Sequence, residues 1–253
     1  MLIDYQTWML VFMRMSAFLL VLPFFSATNF PVAMRIALGA LTAMLMLPMI
    51  PPVHLSELTF FGMFGVMTKE VAVGLLLGFI SRMVFFAADL AGNIIATEIG
   101  LNMAPVFNPL TSQSAPVPST ILFFLAAIVM LTLDLHHWVL VGFQQTYTVL
   151  PIGGAQLNGP LFETVLTHTS KIFVVALQIC APVMAVSFVV TIVFGVLSRA
   201  VPQMNVFILS FPFRIASGLA VFGFTLHLTA QHVSNYLNRL PDDLLNIARL
   251  LNV

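Results

Sequence analysis

Charged residues are scarce in this chain. Of its 253 residues, nine are Lys or Arg and nine are Asp or Glu, whereas 60% are hydrophobic. Soluble globular domains usually carry about 25% charged residues, so this sequence lacks the charge that an ordinary water-facing surface needs. The composition therefore predicts a protein whose surface is covered by lipid or by other apolar proteins.

Cysteine pairs, basic clusters and catalytic motifs are also missing from the sequence. The single cysteine, Cys180, lies inside an apolar run, which excludes an intrachain disulfide and a cysteine metal cluster. The formal net charge is zero and no basic block occurs, so nucleic acid is not expected as a partner. The sequence has no phosphate-binding loop, dinucleotide-binding glycine motif, HExxH zinc motif or GxSxG elbow. We therefore expect neither an enzyme nor a cofactor.

The N-terminus does not have the pattern of a secretion signal. A signal peptide carries a basic segment before its apolar stretch, whereas here Asp4 comes first and Arg14 lies within the stretch. We therefore predict an uncleaved first helix.

Long apolar runs dominate the sequence, and they do not alternate apolar and polar residues as half-buried strands do. We predict an all-α, polytopic membrane protein with about six long hydrophobic helices. The predicted helices cover residues 8–25, 34–50, 60–86, 119–150, 172–197 and 206–236, and a short helix follows within residues 241–253. Pro182 and Pro212 fall inside two of these helices and predict kinks.

Several charges fall inside or near the ends of the apolar runs. They are Arg14, Lys69, Glu70, Arg82 and Asp134. A charge near the bilayer centre costs at least about 2.5 to 3.5 kcal/mol, so such residues usually face protein, a water-filled cavity or a headgroup region. The small-residue spacings at 74–78 and 88–92 also predict close helix contacts. Both features indicate a chain packed among other helices.

Two sets of polar residues each allow two interpretations. Arg82, Asp89 and Glu98 either pair or line a wet path, or else they cap helices and pair with a partner subunit. In the segment Asp134-Leu135-His136-His137-Trp138, Asp134 and His137 share a helix face, whereas the adjacent histidines are expected to point to different faces. A metal or proton-relay role is one interpretation of this segment, and an interfacial polar band anchored by Trp138 is the other. We assign no metal site.

The most unusual segment is a polar interruption over residues 100–120. It contains four prolines and two asparagines between apolar runs, so it is too apolar for an ordinary solvated loop and too rich in proline for a helix. Irregular backbone at membrane depth is tolerated only where protein or a water-filled cavity covers it. A re-entrant plug in a pore is therefore one hypothesis, and an exposed connecting loop is the alternative.

From Asp89 onward the chain resembles the FliR/SctT family, export-gate membrane subunits of the flagellar and virulence type III secretion systems. The motifs that carry the resemblance are Glu98-Ile99-Gly100-Leu101-Asn102-Met103-Ala104 leading to Asn108-Pro109, then Leu150-Pro151-Ile152-Gly153-Gly154, then Arg199-Ala200-Val201-Pro202-Gln203-Met204-Asn205-Val206-Phe207, then Phe211-Pro212. The chain departs from the common pattern at Asn108, where many relatives carry Asp, and at Ser210, where glycine is usual. The Leu-Pro-Ile-Gly-Gly and Pro-Gln-x-x-x-Phe patterns favour the flagellar branch.

The resemblance implies a helical hetero-oligomeric export gate in the bacterial inner membrane, at the flagellar basal body. In it, several FliP and FliQ subunits and one FliR copy form the pore, and FlhB lies at the cytoplasmic entrance. Carried onto this chain, residues 1–150 would form a FliP-like portion with a plug loop at 103–118. Residues 151–253 would form a FliQ-like helical hairpin with its turn near 199–205 and a short C-terminal helix.

The resemblance also implies roles for particular residues. The pore plug would include Met103, Phe107, Asn108, Pro109 and Pro116. The residues that line the lumen or are buried polar groups would be Asp89, Glu98 and Arg82, and those of the cytoplasmic turn and partner contact would be Arg199, Pro202, Gln203 and Arg214. The implied function is passage of unfolded flagellar or virulence proteins across the membrane. The alternative is a proton-coupled small-molecule transporter that uses Asp89, Glu98, Asp134 and His137, although the two halves show no convincing repeat.

Overall fold

The computed structural model describes residues 4–26, 31–53, 59–103, 116–156, 158–203 and 205–252. Every regular element in these residues is helical. The α-helices are α1 (Tyr5–Val21), α2 (Pro23–Ser26), α3 (Val32–Met46), α4 (Phe60–Glu98), α5 (Val117–Thr132), α6 (Leu135–Val149), α7 (Gly159–Ala200), α8 (Val206–Leu237) and α9 (Leu240–Leu251). Short 3₁₀ turns cover Leu47–Met49 and Leu101–Met103. The predicted all-α class is confirmed.

Four helical stretches are long and apolar enough to cross a membrane. They are Val32–Met49, Phe60–Glu98, Gly159–Ala200 and Ile208–Leu251, and the bent pair of α5 and α6 supplies a fifth if the two helices count as one span. Helix α1, with 17 residues, is shorter than a usual span. The polytopic class is confirmed, with four or five candidate spans among the described residues where about six long helices were predicted.

The predicted end of α4 and the predicted start of α7 were wrong. Helix α4 continues past residue 86 because Ala87, Ala91 and Ile95 repeat at helical spacing and are buried. Helix α7 begins at Gly159 and not at residue 172, since Asn158 caps it: the Asn158 side-chain oxygen accepts the Leu161 N–H at 3.0 Å. An asparagine followed by Gly-Pro is the sequence signal that predicts this helix start.

The predicted single helix over residues 119–150 was also wrong. Helix α5 ends at Thr132 and α6 begins at Leu135, with Asp134 between them in the left-handed region at φ 53°. Aspartate is one of the few non-glycine residues that adopts this conformation readily, because its short polar side chain interacts locally. At Pro182 and Pro212, where kinks were predicted, the helices α7 and α8 continue without a break.

The chain divides into two compact units. The first unit contains Met1–Met83, Leu133–Thr169 and Leu237–Val253, and the second contains Val84–Thr132 and Ser170–Tyr236. Each unit therefore combines stretches that lie far apart in the sequence.

The first unit contains buried aromatic side chains and close helix crossings. The rings of Phe18 on α1 and Phe143 on α6 lie 4.5 Å apart between centroids. A Cβ added at Gly74 on α4 would overlap the Arg14 carbonyl oxygen of α1. Glycine therefore lets α4 and α1 approach closely, as the small-residue spacing at 74–78 predicted.

The second unit also depends on small residues where its helices cross. A Cβ added at Gly92 on α4 would overlap the backbone of Ser119 on α5, and one added at Gly218 on α8 would overlap the side chain of Ile99. The predicted close contact at 88–92 is therefore confirmed.

Candidate functional site

A buried ion pair joins α1 to α4 in the first unit. The side chains of Arg14 and Glu70 are both 0% exposed. The Arg14 Nε donates to Glu70 Oε2 at 2.5 Å, and Nη2 donates to Oε1 at 3.0 Å. Two parallel hydrogen bonds of this kind give the strongest geometry available to an arginine and a carboxylate.

The same pair holds the Leu-Pro-Ile-Gly-Gly segment that follows α6. The Arg14 Nη1 donates to the Leu150 carbonyl at 3.3 Å, and the Gly153 N–H donates to Glu70 Oε1 at 2.9 Å. The Lys69 Nζ donates to the Gly153 carbonyl at 3.4 Å. The motif is thus fixed by side chains from two helices that precede it by more than fifty residues.

The backbone of this segment forms a tight turn. The Gly154 N–H donates to the Pro151 carbonyl at 3.0 Å, which closes a four-residue turn. Gly153 is the third residue of that turn and has φ 79°. A turn with positive φ at its third position favours glycine, because other side chains are strained there.

An aromatic ring completes the surroundings of Arg14. The guanidinium carbon lies 4.2 Å from the centroid of the Tyr147 ring, and the Tyr147 hydroxyl donates to the Val11 carbonyl at 3.5 Å. Arg14 is thus held by a carboxylate, a carbonyl and a ring face. Burying an ion costs several kcal/mol unless such partners compensate it, so these contacts allow the charge to remain in the interior. We call these residues, Arg14, Glu70, Tyr147, Leu150 and Gly153, the Arg14 cluster.

The sequence predicted part of this arrangement. Arg14 and Glu70 were expected to face protein, water or headgroups, and they face protein. Their pairing was not predicted, because they lie 56 positions apart and no periodicity links them. The Leu150–Gly154 motif is one of those that carry the family resemblance, and its contacts with Arg14 and Glu70 give it a physical role.

The three residues predicted to be buried polar groups or to line a lumen occupy separate local settings. Asp89 is exposed in the single chain and accepts a hydrogen bond from the Ser119 hydroxyl within the second unit. The half-buried Glu98 accepts the Ser187 hydroxyl at its backbone carbonyl, at 3.1 Å. Arg82, in the first unit, is half-buried and donates to the Val21 carbonyl at 3.4 Å.

The predicted plug lies mainly outside the described residues. Phe107, Asn108 and Pro109 are not among the described residues, and the backbone of Met103 ends the 3₁₀ turn after α4. The polar interruption begins at Gly100, which follows the end of α4 and has φ 86°, the left-handed conformation typical of helix C-termini. Pro116 directly precedes α5, and its carbonyl accepts the Thr120 N–H at 3.1 Å.

The predicted turn between the two long helices lies where it was expected. Arg199 is in the last helical turn of α7, and Pro202 and Gln203 are exposed in the turn before α8. Arg214, on α8, donates to the Thr191 hydroxyl of α7 at 2.9 Å. That bond links the two helices a little more than two turns from the ends that the connection joins.

The residues of the transporter alternative fall in both units. Asp134 and His137 are exposed in the first unit, where the His137 Nδ1 lies 3.5 Å from Asp134 Oδ1. Asp89 and Glu98 belong to the second unit.

The class of protein follows from the fold and the sequence pattern together. The pattern that defines the bacterial export proteins, family 1, matches residues 5–240. The chain therefore belongs to this family, and it does so as an all-α protein with several membrane-span-length helices.

Individual relatives of this chain include flagellar biosynthetic proteins. The chain is 28% identical to the flagellar biosynthetic protein FliR of Bacillus subtilis (strain 168) over 255 residues, which cover 98% of this chain and 97% of the relative. It is 27% identical to FliR of Escherichia coli (strain K12) over 234 residues, covering 91% and 89%. It is 28% identical to FliR of Buchnera aphidicola subsp. Acyrthosiphon pisum (strain APS) over 232 residues, covering 92% and 88%. The predicted resemblance, including the flagellar branch, is confirmed.

Proposed function

We propose that this chain is a non-catalytic subunit of the flagellar type III export gate in the bacterial inner membrane. It forms part of a channel through which unfolded flagellar proteins pass. Several FliP and FliQ subunits form the pore together with one copy of this chain, and FlhB lies at the cytoplasmic entrance. Residues 1–150 form the FliP-like portion and residues 151–253 the FliQ-like hairpin. Membership of an export family and similarity to FliR proteins support the proposal.

The observation that carries the assembly part of this proposal is the apolar surface of α7. Large apolar side chains are exposed from Phe162 at 62% to Leu197 at 37%. Phe162 belongs to the first unit and Leu197 to the second, so each unit presents apolar side chains of α7 that the chain itself does not cover. In the proposed gate, neighbouring subunits and lipid cover these side chains.

The comparison between spans supports the same conclusion. In the most apolar 18-residue stretch of Phe60–Glu98, 61% of the residues are buried within the chain. In the corresponding stretch of Gly159–Ala200, only 22% are buried. The most apolar part of α4 is thus mostly covered by this chain, although Phe60 and Phe61 at its start are exposed, whereas α7 leaves most of its apolar surface uncovered. In the proposed gate, that cover is supplied by neighbouring subunits together with lipid.

We further propose that residues 103–118 close the conduit when no substrate is present. The segment contains Phe107, Pro109 and Pro116, which are apolar, and Asn108, which is uncharged. Apolar side chains at a constriction exclude water and ions by dewetting, while non-directional contacts can yield to an unfolded chain.

The first experiment tests the assembly. The chain is expressed with and without candidate FliP and FliQ partners and purified in detergent, and the native complex is weighed by mass spectrometry. We expect one copy of this chain in a hetero-oligomer, and an unstable or aggregated product when it is expressed alone. A well-behaved monomer that captures no partner would overturn the proposal.

The second experiment tests the plug. Residues 106–115 are replaced by a Gly/Ser segment of equal length, which retains Pro116 and its contact with Thr120. We expect normal assembly and increased ion leakage across the membrane. The control carries the same type of replacement at residues 54–58 and should not leak. Unchanged conductance in an assembled complex would reject the plug.

Two further variants separate a channel from a transporter. A proton-coupled carrier built on Asp134 and His137 would lose its activity in Asp134→Asn and His137→Ala. The export-gate proposal expects mild effects on motility and on secretion of flagellar proteins from both substitutions.

A further inference from the structure

The break between α5 and α6 places three metal-ligating side chains together. Asp134 is the residue with positive φ among the described non-glycine positions, and it occupies the N-cap position of α6. An N-cap aspartate usually accepts a backbone N–H of the first turn, but the Asp134 side chain makes no such bond. Its Oδ1 lies 3.5 Å from His137 Nδ1 instead.

The two histidines after the break do not diverge as the sequence predicted. The rings of His136 and His137 lie 4.0 Å apart between centroids, at an interplanar angle of 38°. One ligand atom from each of Asp134, His136 and His137 lies within 4.8 Å of the other two. Adjacent residues of a helix are about 100° apart around its axis, but in the first turn of α6 these two side chains turn towards each other.

The described residues leave one ring nitrogen of His136 unpaired. The His136 Nδ1 is buried and has no hydrogen-bond partner among the described residues. A buried polar atom without a partner costs about 1–3 kcal/mol. No described protein group therefore competes with a ligand for this nitrogen.

Two imidazoles and one carboxylate form a donor set with a clear preference. Neutral imidazole suits Zn²⁺, Ni²⁺ and Cu²⁺, whereas Mg²⁺ and Ca²⁺ prefer several oxygen ligands. Metal–ligand distances of about 2.0–2.2 Å place the ligand atoms of a tetrahedral site roughly 3.3–3.6 Å apart. The side chains of Asp134 and His137 are 74% and 68% exposed, so they are able to rotate through the remaining distance.

We propose that Asp134, His136 and His137 bind one divalent transition-metal ion of the zinc class at the start of α6. The three side chains supply two nitrogens and one oxygen, and a fourth position remains for water. The sequence alone assigns no metal site here, so the proposal rests on the positions of the three side chains. It does not depend on the export-gate function.

Zinc binding by the purified complex tests the proposal. The full chain is copurified with its partners through a tag without histidines and stripped with a chelator, and bound Zn²⁺ is measured by equilibrium dialysis. We expect the unchanged complex to bind one more Zn²⁺ per copy of this chain than a complex that carries the His136→Gln/His137→Gln double variant. The Asp134→Asn variant should bind at least tenfold more weakly, since asparagine keeps the backbone conformation but lacks the charge.

The matched control changes two other histidines. His227→Gln/His232→Gln makes the same substitutions on α8, and this variant should bind as much Zn²⁺ as the unchanged complex. Substitution by Co²⁺ should give visible absorption typical of a four-coordinate site, and excess Mg²⁺ should not displace it. Equal Zn²⁺ binding by the unchanged complex and the His136/His137 double variant, with equal partner recovery, would overturn the proposal.

Discussion

Two side-chain pairs of the first unit lie in opposite surroundings. Arg14 and Glu70 are fully buried and form two parallel hydrogen bonds, whereas Asp134 and His137 are largely exposed and 3.5 Å apart. Burying an ion pair costs desolvation free energy. Removing one partner also destabilises the protein, because it leaves a charge in a low-dielectric interior. An exposed pair contributes about 0–1 kcal/mol, because water and salt screen it.

The difference shows how a chain with few charges uses them. Arg14 and Glu70 hold a turn against two helices, so their contribution is structural. Asp134 and His137 contribute little to folding, which leaves their ligand atoms available for binding. Stability measurements that differ between the two sites would support this division.

The largest effect is expected when the buried pair loses one member. Glu70→Leu leaves the Arg14 guanidinium buried without its carboxylate and should destabilise the protein by about 3–5 kcal/mol. The measurement is the thermal unfolding midpoint of the purified complex in detergent. Glu163→Leu is the matched control, since Glu163 is exposed on α7. Equal midpoints for the two variants would show that the buried pair is not structural.

Removing both charges together should cost less than removing one. The double variant Arg14→Met/Glu70→Leu contains no unpaired ion, but it leaves the Leu150 carbonyl and the Gly153 N–H without partners. We expect a loss of about 1–3 kcal/mol, the usual cost of one buried group left unsatisfied, because Leu150 is buried whereas Gly153 is half-buried. A double variant less stable than Glu70→Leu would contradict the view that the isolated charge dominates.

The turn that Glu70 holds gives a third, smaller effect. Gly153→Ala places a side chain at a left-handed position and should cost about 1–2 kcal/mol. Gly159→Ala is the control, because a Cβ there would meet nothing within 4 Å. Circular dichroism melting of both complexes measures the difference. No separation between them would mean that the turn relaxes without cost.

The smallest effect is expected at the exposed pair. With metal removed by a chelator, Asp134→Asn should change the unfolding midpoint by the equivalent of less than about 1 kcal/mol. Raising the salt concentration should reduce this small difference further. A loss as large as that of Glu70→Leu would end the distinction between a structural pair and a binding pair.

Apolar runs were sufficient to predict the helical class and most helix positions. The turn between α7 and α8 was also predictable, since Pro202 and its polar neighbours interrupt two long apolar runs. The break at Asp134 was not, because its apolar flanks Leu133 and Leu135 continue the pattern on both sides. A single residue in the left-handed conformation changes the chain direction without changing the composition.

The Arg14 cluster shows the same limit at the level of side chains. The sequence identified Arg14 and Glu70 as charges that need shelter, because charge is rare in apolar runs. It did not identify which charge compensates which, since that depends on how α1 crosses α4. The close approach of Gly74 to the Arg14 backbone makes that crossing possible.

The path of the chain also sets the order in which the first unit is completed during synthesis. The chain leaves this unit after Met83, returns at Leu133, leaves again after Thr169 and returns at Leu237. Helix α9 then binds residues made much earlier: the Gln156 N–H donates to the Leu251 carbonyl at 2.8 Å, and the Asn158 amide donates to the Leu250 carbonyl at 2.6 Å. The first unit therefore cannot close until residues 237–251 have left the ribosome. During that interval its apolar surfaces stay open, and insertion factors or assembling partners have time to bind the nascent protein.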